Sequence, residues 1–224
     1  AKIFIHHHGS ETRTGNGLHW QWVADGHFYT PPDIASALPG SRWLPQMIDL
    51  PPEPAPFMEN EVPIFAHFTT SESNKGTTRV IEMFDKAFGP LKKMTDVPVQ
   101  KGSKSVFVGR GAHLWVLRQI PHYEVESVMK RADVVFDQIA PFGIYGYVAV
   151  EAMALGRPAL ATLDHDMYPA DCPVIFPRAT KLMELAKDEI GRRHYGALGR
   201  AYVERVHAAP VVAQKALDEY AVHL

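Results

Sequence analysis

The stretch ADVVFDQIAPFGIYGYVAVEAMALGRPALAT, Ala132 to Thr162, holds the residues best suited to chemistry. An apolar strand, a Gly-bearing loop and a helix starting near Tyr147 or Val148 follow one another. Gly146 lets the backbone come close to a ligand, and free N–H groups at a helix start bind phosphate. Glu151 is expected in the first helical turn, where a carboxylate suits the hydroxyls of a ribose. The alternative is a Gly-bearing turn ahead of a tightly packed helix, with Glu151 favoured there by the helix dipole alone. Lys75, in NKGT between a strand and a helix, offers a mobile cation to a phosphate, although a solvated loop lysine would look the same. Arg13, Arg110 and Arg118 are candidate reinforcements, of which Arg110 and Arg118 read as surface residues.

A second cluster opens the chain. Ile3-Phe4-Ile5 reads as a short buried strand running into His6, His7 and His8, and GSETRTGNG behind it is turn chemistry. Open α/β sheets bind ligands where strands end at such loops. On a strand His6 and His8 share one face and His7 takes the other. Two imidazoles on one face can bind zinc, but no further ligands stand at obvious spacing, so no metal is expected. A buried structural histidine is the other reading. LDHDMYP, residues 163–169, also mixes His and Asp and reads as a polar loop at a strand end.

The elements that must position these groups alternate. Strands are expected at HFYTP, SRWLPQMI, VPIFAHF, KSVFVGRG, LWVLRQI, DVVFDQI, RPALATL and CPVIFP. Helices are expected at PPDIASAL, at TTRVIEMFDKAFG with Val80, Ile81, Met83, Phe84, Ala87 and Phe88 on one broad face, at PHYEVESVMKRA and at YVAVEAMALG. Two more fill residues 181–207 and 211–224. Strands alternating with helices argue for a mostly parallel α/β sheet covered on both faces. Five prolines between Pro51 and Pro63 favour an extended, stiff connector. The boundaries follow: residues 1–50 an abbreviated α/β segment, 51–62 a linker, 63–207 a Rossmann-like domain, and 208–224 a C-terminal helix.

Composition bounds the partners. The 224 residues can bury a sizeable core, and the formal charge of −2 provides no basic field for nucleic acid. The single cysteine, Cys172, cannot close an internal disulfide and fits a reducing, cytoplasmic compartment. No apolar stretch approaches the ~18 residues of a membrane span, no signal peptide is visible, and nothing supports association with a membrane surface.

GYVAVEAMALGRPALAT resembles the donor-binding signature of retaining glycosyltransferases of the GT-B architecture, in particular family four. HHHGSETR, RWLPQMIDLPP and FAHFTTSESNKGT resemble three further segments of that family, in the expected order. The resemblance implies an α/β fold: a GT-B-like, Rossmann-type parallel-sheet donor-binding domain with a truncated second α/β domain. It implies a nucleotide-diphosphate sugar as donor, a glycan, lipid or protein as acceptor, retention, and no metal or cofactor. Glu151 would hold the ribose, Lys75 with the Gly146/Tyr147 backbone the diphosphate, and Ile120 and His122 would lie near the base. His8, with His6 beside it, would serve catalysis at the transferred sugar, with Arg13 and Gly9 as phosphate or acceptor contacts.

The family motif carries two glutamates. Gly143 stands where the first is expected, and Glu72 where a basic residue often precedes the lysine. Only about 50 residues precede the linker, so the chain is a compact enzyme or a fragment, or an oligomeric partner such as a second copy fills the gap. The alternatives are a non-catalytic nucleotide-sugar-binding protein or partner of a full-length enzyme, and a GT-B-like sugar epimerase.

Overall fold

The structure is a computed structural model that describes residues 2–8, 10–13, 23–58, 60–98 and 102–222. Among these residues the strands form two sheets. The smaller is parallel, in the order β1 (Phe4–His7), β2 (Gly26–Tyr29), β3 (Arg42–Trp43). The larger runs β5-β6-β7-β4-β8-β9, built from β4 (Ile64–Thr69), β5 (Lys92–Pro98), β6 (Ser103–Gly109), β7 (Ala112–Arg118), β8 (Val134–Phe136) and β9 (Ala159–Leu160).

All six residues of β4 are buried, as befits a strand between parallel neighbours β7 and β8 with helices on both faces. On one face α3 (Thr77–Phe88) buries Val80, Phe84 and Phe88 against Phe65, joined by Leu182 and Leu185 of α6 (Ala179–Lys187). Ile81, Met83 and Ala87 are half-buried at the edge of the same contact. On the other face lie Met129 of α4 (His122–Met129), the apolar α5 (Tyr147–Ala154), and Tyr202, Val203 and Val206 of α7 (Glu189–Val206).

Several sequence expectations change. The sheet is parallel from β7 to β9, but β5 and β6 continue it antiparallel. β5 escapes a hydrophobic reading because it is an outer strand carrying Lys92, Lys93 and Pro98, features typical of protected edges. CPVIFP supplies only a single bridge, Leu160 to Ile175, with Pro173 and Pro177 flanking Val174, Ile175 and Phe176. PPDIASAL forms a 3₁₀ segment, Pro32–Ala37. The stretch expected as one helix over 181–207 is two, because the Asp188 carboxylate accepts from the Gly191 amide at 2.8 Å and starts α7 afresh.

In β1 the buried side chain is His7, while Phe4 and Ile5 are half-buried and Ile3 is exposed, consistent with a strand at the sheet edge. α8 (Ala209–Val222) packs on this small sheet: Val212 is buried with Phe28 and Leu44, and the Tyr220 ring lies 4.4 Å from Phe4. The proline-rich segment runs without regular structure and is clasped by Arg157, which is fully buried. Its guanidinium donates to the Ala55 carbonyl at 2.9 Å, Pro56 at 2.6 Å and Lys130 at 2.9 Å. Burial lowers its pKa to about 10, with nearby Asp133 acting in the opposite direction.

Candidate functional site

The parallel strands β4 and β8 end beside each other, and the loops leaving them carry the groups of interest. After β4 comes a short helix, α2 (Glu72–Lys75), stopped by Gly76 at φ +67°. A Cβ on Gly76 would sit 2.2 Å from the Ile139 carbonyl oxygen, so only glycine lets this turn approach the loop after β8. The Ile139 amide donates to the Lys75 carbonyl at 3.1 Å, which ties the two loops together.

Asp137, the first residue beyond β8, is fully buried. One of its oxygens accepts from Lys75 Nζ at 2.5 Å, and the other accepts from the Gly146 amide. This carboxylate is a feature that sequence reading passed over. A single Asp after a strand carries no recognisable spacing, and its partners stand 62 and 9 residues away.

α5 begins at Tyr147 with Gly146 as its N-cap, and the Ala149 amide bonds back to the Gly146 carbonyl at 3.1 Å. Glu151 therefore lies in the second turn rather than the first. The Gly146 amide, expected to face a ligand, is taken by Asp137; the next amides, at Tyr147 and Val148, are the helix-end donors that lack an acceptor within the helix.

Lys75, Ile120, His122, Tyr147, Val148 and Glu151 line one cavity of about 450 Å³, floored by Phe68, Leu117 and Val125. Glu151 accepts from His122 Nε2 at 2.6 Å, joining the second turn of α5 to the first residue of α4. These two side chains also border an adjoining hollow of about 610 Å³ walled by Met47, Ile48 and Leu50. The loop that presents Ile120 is held by Gln119, whose φ is +54°; its amide donates to the Thr69 carbonyl at 3.0 Å and its side chain to the Thr70 carbonyl at 2.5 Å.

The remaining predicted residues lie elsewhere. His6 and His8 are not among the residues lining either hollow. Their rings stand 4.4 Å apart on one side of β1, and His6 bonds to the Thr30 hydroxyl. Withdrawal from water, then repulsion from His8 and His7, lowers the His6 pKa to about 4. His7, on the opposite side, meets His27 Nδ1 at 3.2 Å. Gly9 lies outside the described residues.

Arg13, in the short helix α1 (Ser10–Arg13), forms a two-pronged pair with Asp33 at 2.6 and 2.8 Å and sits 5.2 Å above the Phe142 ring. The N-terminal segment thus touches the Gly-rich loop, but through a cation already paired. Arg118 pairs with Glu72 and donates to Ser105 Oγ at 2.7 Å, and Arg110 is exposed. Gly143 adopts φ +68°, and a Cβ there would lie 2.9 Å from that of Asp164. A glutamate at this position would be both strained and crowded. Among the described residues no cluster of three or more His, Cys, Asp and Glu side chains is arranged to hold a metal, and no helix is long and apolar enough to cross a membrane.

No protein-family model matches the sequence, and no curated protein matches it. Solved structures do. HepE from Anabaena, in complex with UDP-glucose, is 12% identical with a TM-score of 0.64, over 99% of this chain and 72% of HepE. A mutant of S. aureus TarM, in complex with fondaparinux, α-GlcNAc-glycerol and UDP, is 13% identical with a TM-score of 0.61, over 90% of this chain and 45% of TarM. The lipopolysaccharide outer core galactosyltransferase WaaB, in its apo form, is 10% identical with a TM-score of 0.59, over 90% and 63%. The fold is GT-B-like. At these identities the likeness reaches the architecture and not the chemistry, and the chain spans less than two thirds of TarM and of WaaB. It contains the Rossmann-type unit with its parallel strands, together with a smaller α/β unit of three described strands.

Proposed function

We propose that the chain binds a nucleotide-diphosphate sugar and transfers its sugar to an acceptor, with retention and without a metal. The observation that carries this reading is the shared cavity: Lys75, the opening residues of α5 and Glu151 line one hollow at the ends of parallel strands. A leaving diphosphate gains negative charge as the glycosidic bond breaks. Preorganised cations and amides aimed at that charge lower the barrier. Lys75 Nζ and the Tyr147 and Val148 amides fill this role. Glu151 accepts hydrogen bonds from the ribose hydroxyls once the ligand displaces His122, and the base lies along Ile120.

In the transfer, the bond from the anomeric carbon to the diphosphate oxygen breaks as one to the acceptor oxygen forms. The acceptor proton passes to the leaving phosphate, so no strong protein base is required. His8 and His6, at the end of β1, are assigned to the side from which the sugar is presented. The HepE complex with UDP-glucose supports a nucleotide-sugar ligand for this fold, and the galactosyltransferase WaaB supports sugar transfer.

Thermal-shift titration with UDP, GDP, ADP and their sugars tests binding, because a ligand of the native state raises its melting temperature. Transfer assays run with and without chelator, and analysis of product stereochemistry, test the rest. A melting temperature unmoved by all of these ligands would sink the reading. Binding without turnover would leave a nucleotide-sugar-binding protein, and an epimerised nucleotide-sugar would point to the epimerase.

A further inference from the structure

We propose that Asp137 is a positioning residue for the diphosphate, holding the Lys75 ammonium and the first turn of α5 in one fixed relation through its two carboxylate oxygens. The inference rests on the donor reading above and concerns a residue which that reading does not use. Asp137 is fully buried, whereas the Lys75 side chain keeps 20% of its exposure and reaches the cavity wall. The carboxylate is thus the fixed end of the pair and the ammonium the end left open to a ligand. An ammonium has three N–H donors. One points at Asp137 at 2.5 Å, which leaves others for phosphate oxygens without breaking the pair.

The second oxygen of Asp137 accepts from the Gly146 amide, directly before the Tyr147 and Val148 amides. A single buried anion therefore sets the spacing between the side-chain cation and the backbone donors. Without it, the lysine is an untethered point charge on a flexible stem, poorly placed for a developing charge. The carboxylate also offsets part of the lysine charge, and that makes the idea testable. Were Asp137 only a competitor for Lys75, removing its charge would strengthen phosphate binding.

Asn at 137 is nearly isosteric, but its amide can accept from Lys75 or from the Gly146 N–H, and it presents an NH₂ donor to the other. The positioning role predicts that Asp137→Asn weakens binding of whichever of UDP, GDP or ADP the unsubstituted chain binds, by tenfold or more in calorimetric titration. The corresponding nucleoside should bind unchanged, since it lacks the phosphates. In the Lys75→Met background only the Gly146 amide needs an acceptor, so Asp137→Asn should add less than a twofold loss there.

Equal or tighter diphosphate binding by Asp137→Asn overturns the proposal. So does an equal loss for nucleoside and diphosphate, or a further tenfold loss in the Lys75→Met background, since each marks a merely structural residue. Should Asp137→Asn alone fail to fold, as judged by circular dichroism, the comparison of Lys75→Met with Lys75→Met/Asp137→Asn decides on the same criterion. Failure of the unsubstituted chain to bind any of the three diphosphates defeats the donor reading itself, and the proposal with it.

Discussion

At the scale of single residues, the cavity divides its work by chemistry. Glu151 is an acceptor at one end, and Lys75 with the α5 amides forms the donor end. Replacing Glu151 by Ala removes the acceptor for ribose hydroxyls and leaves the phosphate donors in place. A charged hydrogen bond is worth about 1.5–3 kcal/mol, so affinity for a nucleoside diphosphate should fall at least about tenfold while that for inorganic pyrophosphate stays constant. Parallel titrations of the two ligands check this. Gly143 makes a different point. With φ at +68° and Asp164 against it, Gly143→Ala should cost about 1–3 kcal/mol in urea unfolding. The glycine at this position is thus dictated by its backbone. That reason is invisible in the string of letters, which shows only a glycine between Phe142 and Ile144.

At the scale of elements, the junction between α7 and α8 is stitched to the chain leaving β3. His207, fully buried, faces the Gln46 carbonyl through Nδ1 at 2.7 Å and the Tyr145 hydroxyl through Nε2 at 2.8 Å. A neutral ring satisfies both, donating to the carbonyl and accepting from the hydroxyl. Burial lowers the His207 pKa to about 4, and His67, buried in β4 and 3.0 Å from the Thr77 hydroxyl, is also lowered by burial to about 4. Both lie below the ordinary 6.5, so the unfolded chain takes up protons first. Their contribution is complete above pH 6.5 and is lost as the pH falls towards about 4. Urea unfolding measured across this range should show declining stability. His207→Gln, which keeps a donor and an acceptor, should make the decline shallower.

At the scale of the whole molecule, the chain leaves the small sheet after β3 and comes back to it with α8. The crossings lie side by side: the Ile48 amide donates to the His207 carbonyl at 2.9 Å, and the Ala209 amide donates to Ile48 at 3.0 Å. Arg157 then fastens the proline-rich segment to the larger sheet. Arg157→Met would strand at least three carbonyls without their donor, at a cost on the order of 3 kcal/mol. A lower unfolding midpoint together with faster proteolysis between residues 51 and 63 would show it. The clasp joins residues about 100 positions apart, so no local pattern foretells it.

The elements legible without coordinates were those whose signal is local. The 3.6-residue periodicity of α3, the apolar runs of β4 and β8, and the Gly-bearing loop before α5 each repeat a pattern over neighbouring positions. These set the α/β class and brought Lys75 and Glu151 under suspicion. Tertiary structure alone decided the partner of the Gly146 amide, the polar edge strand β5 and the buried carboxylate of Asp137. The physical reason is common to all three. An edge strand takes its hydrogen bonds from a neighbour whatever its own hydropathy. The acceptor of a loop amide and the partner of a buried charge are likewise settled by groups that folding brings to them.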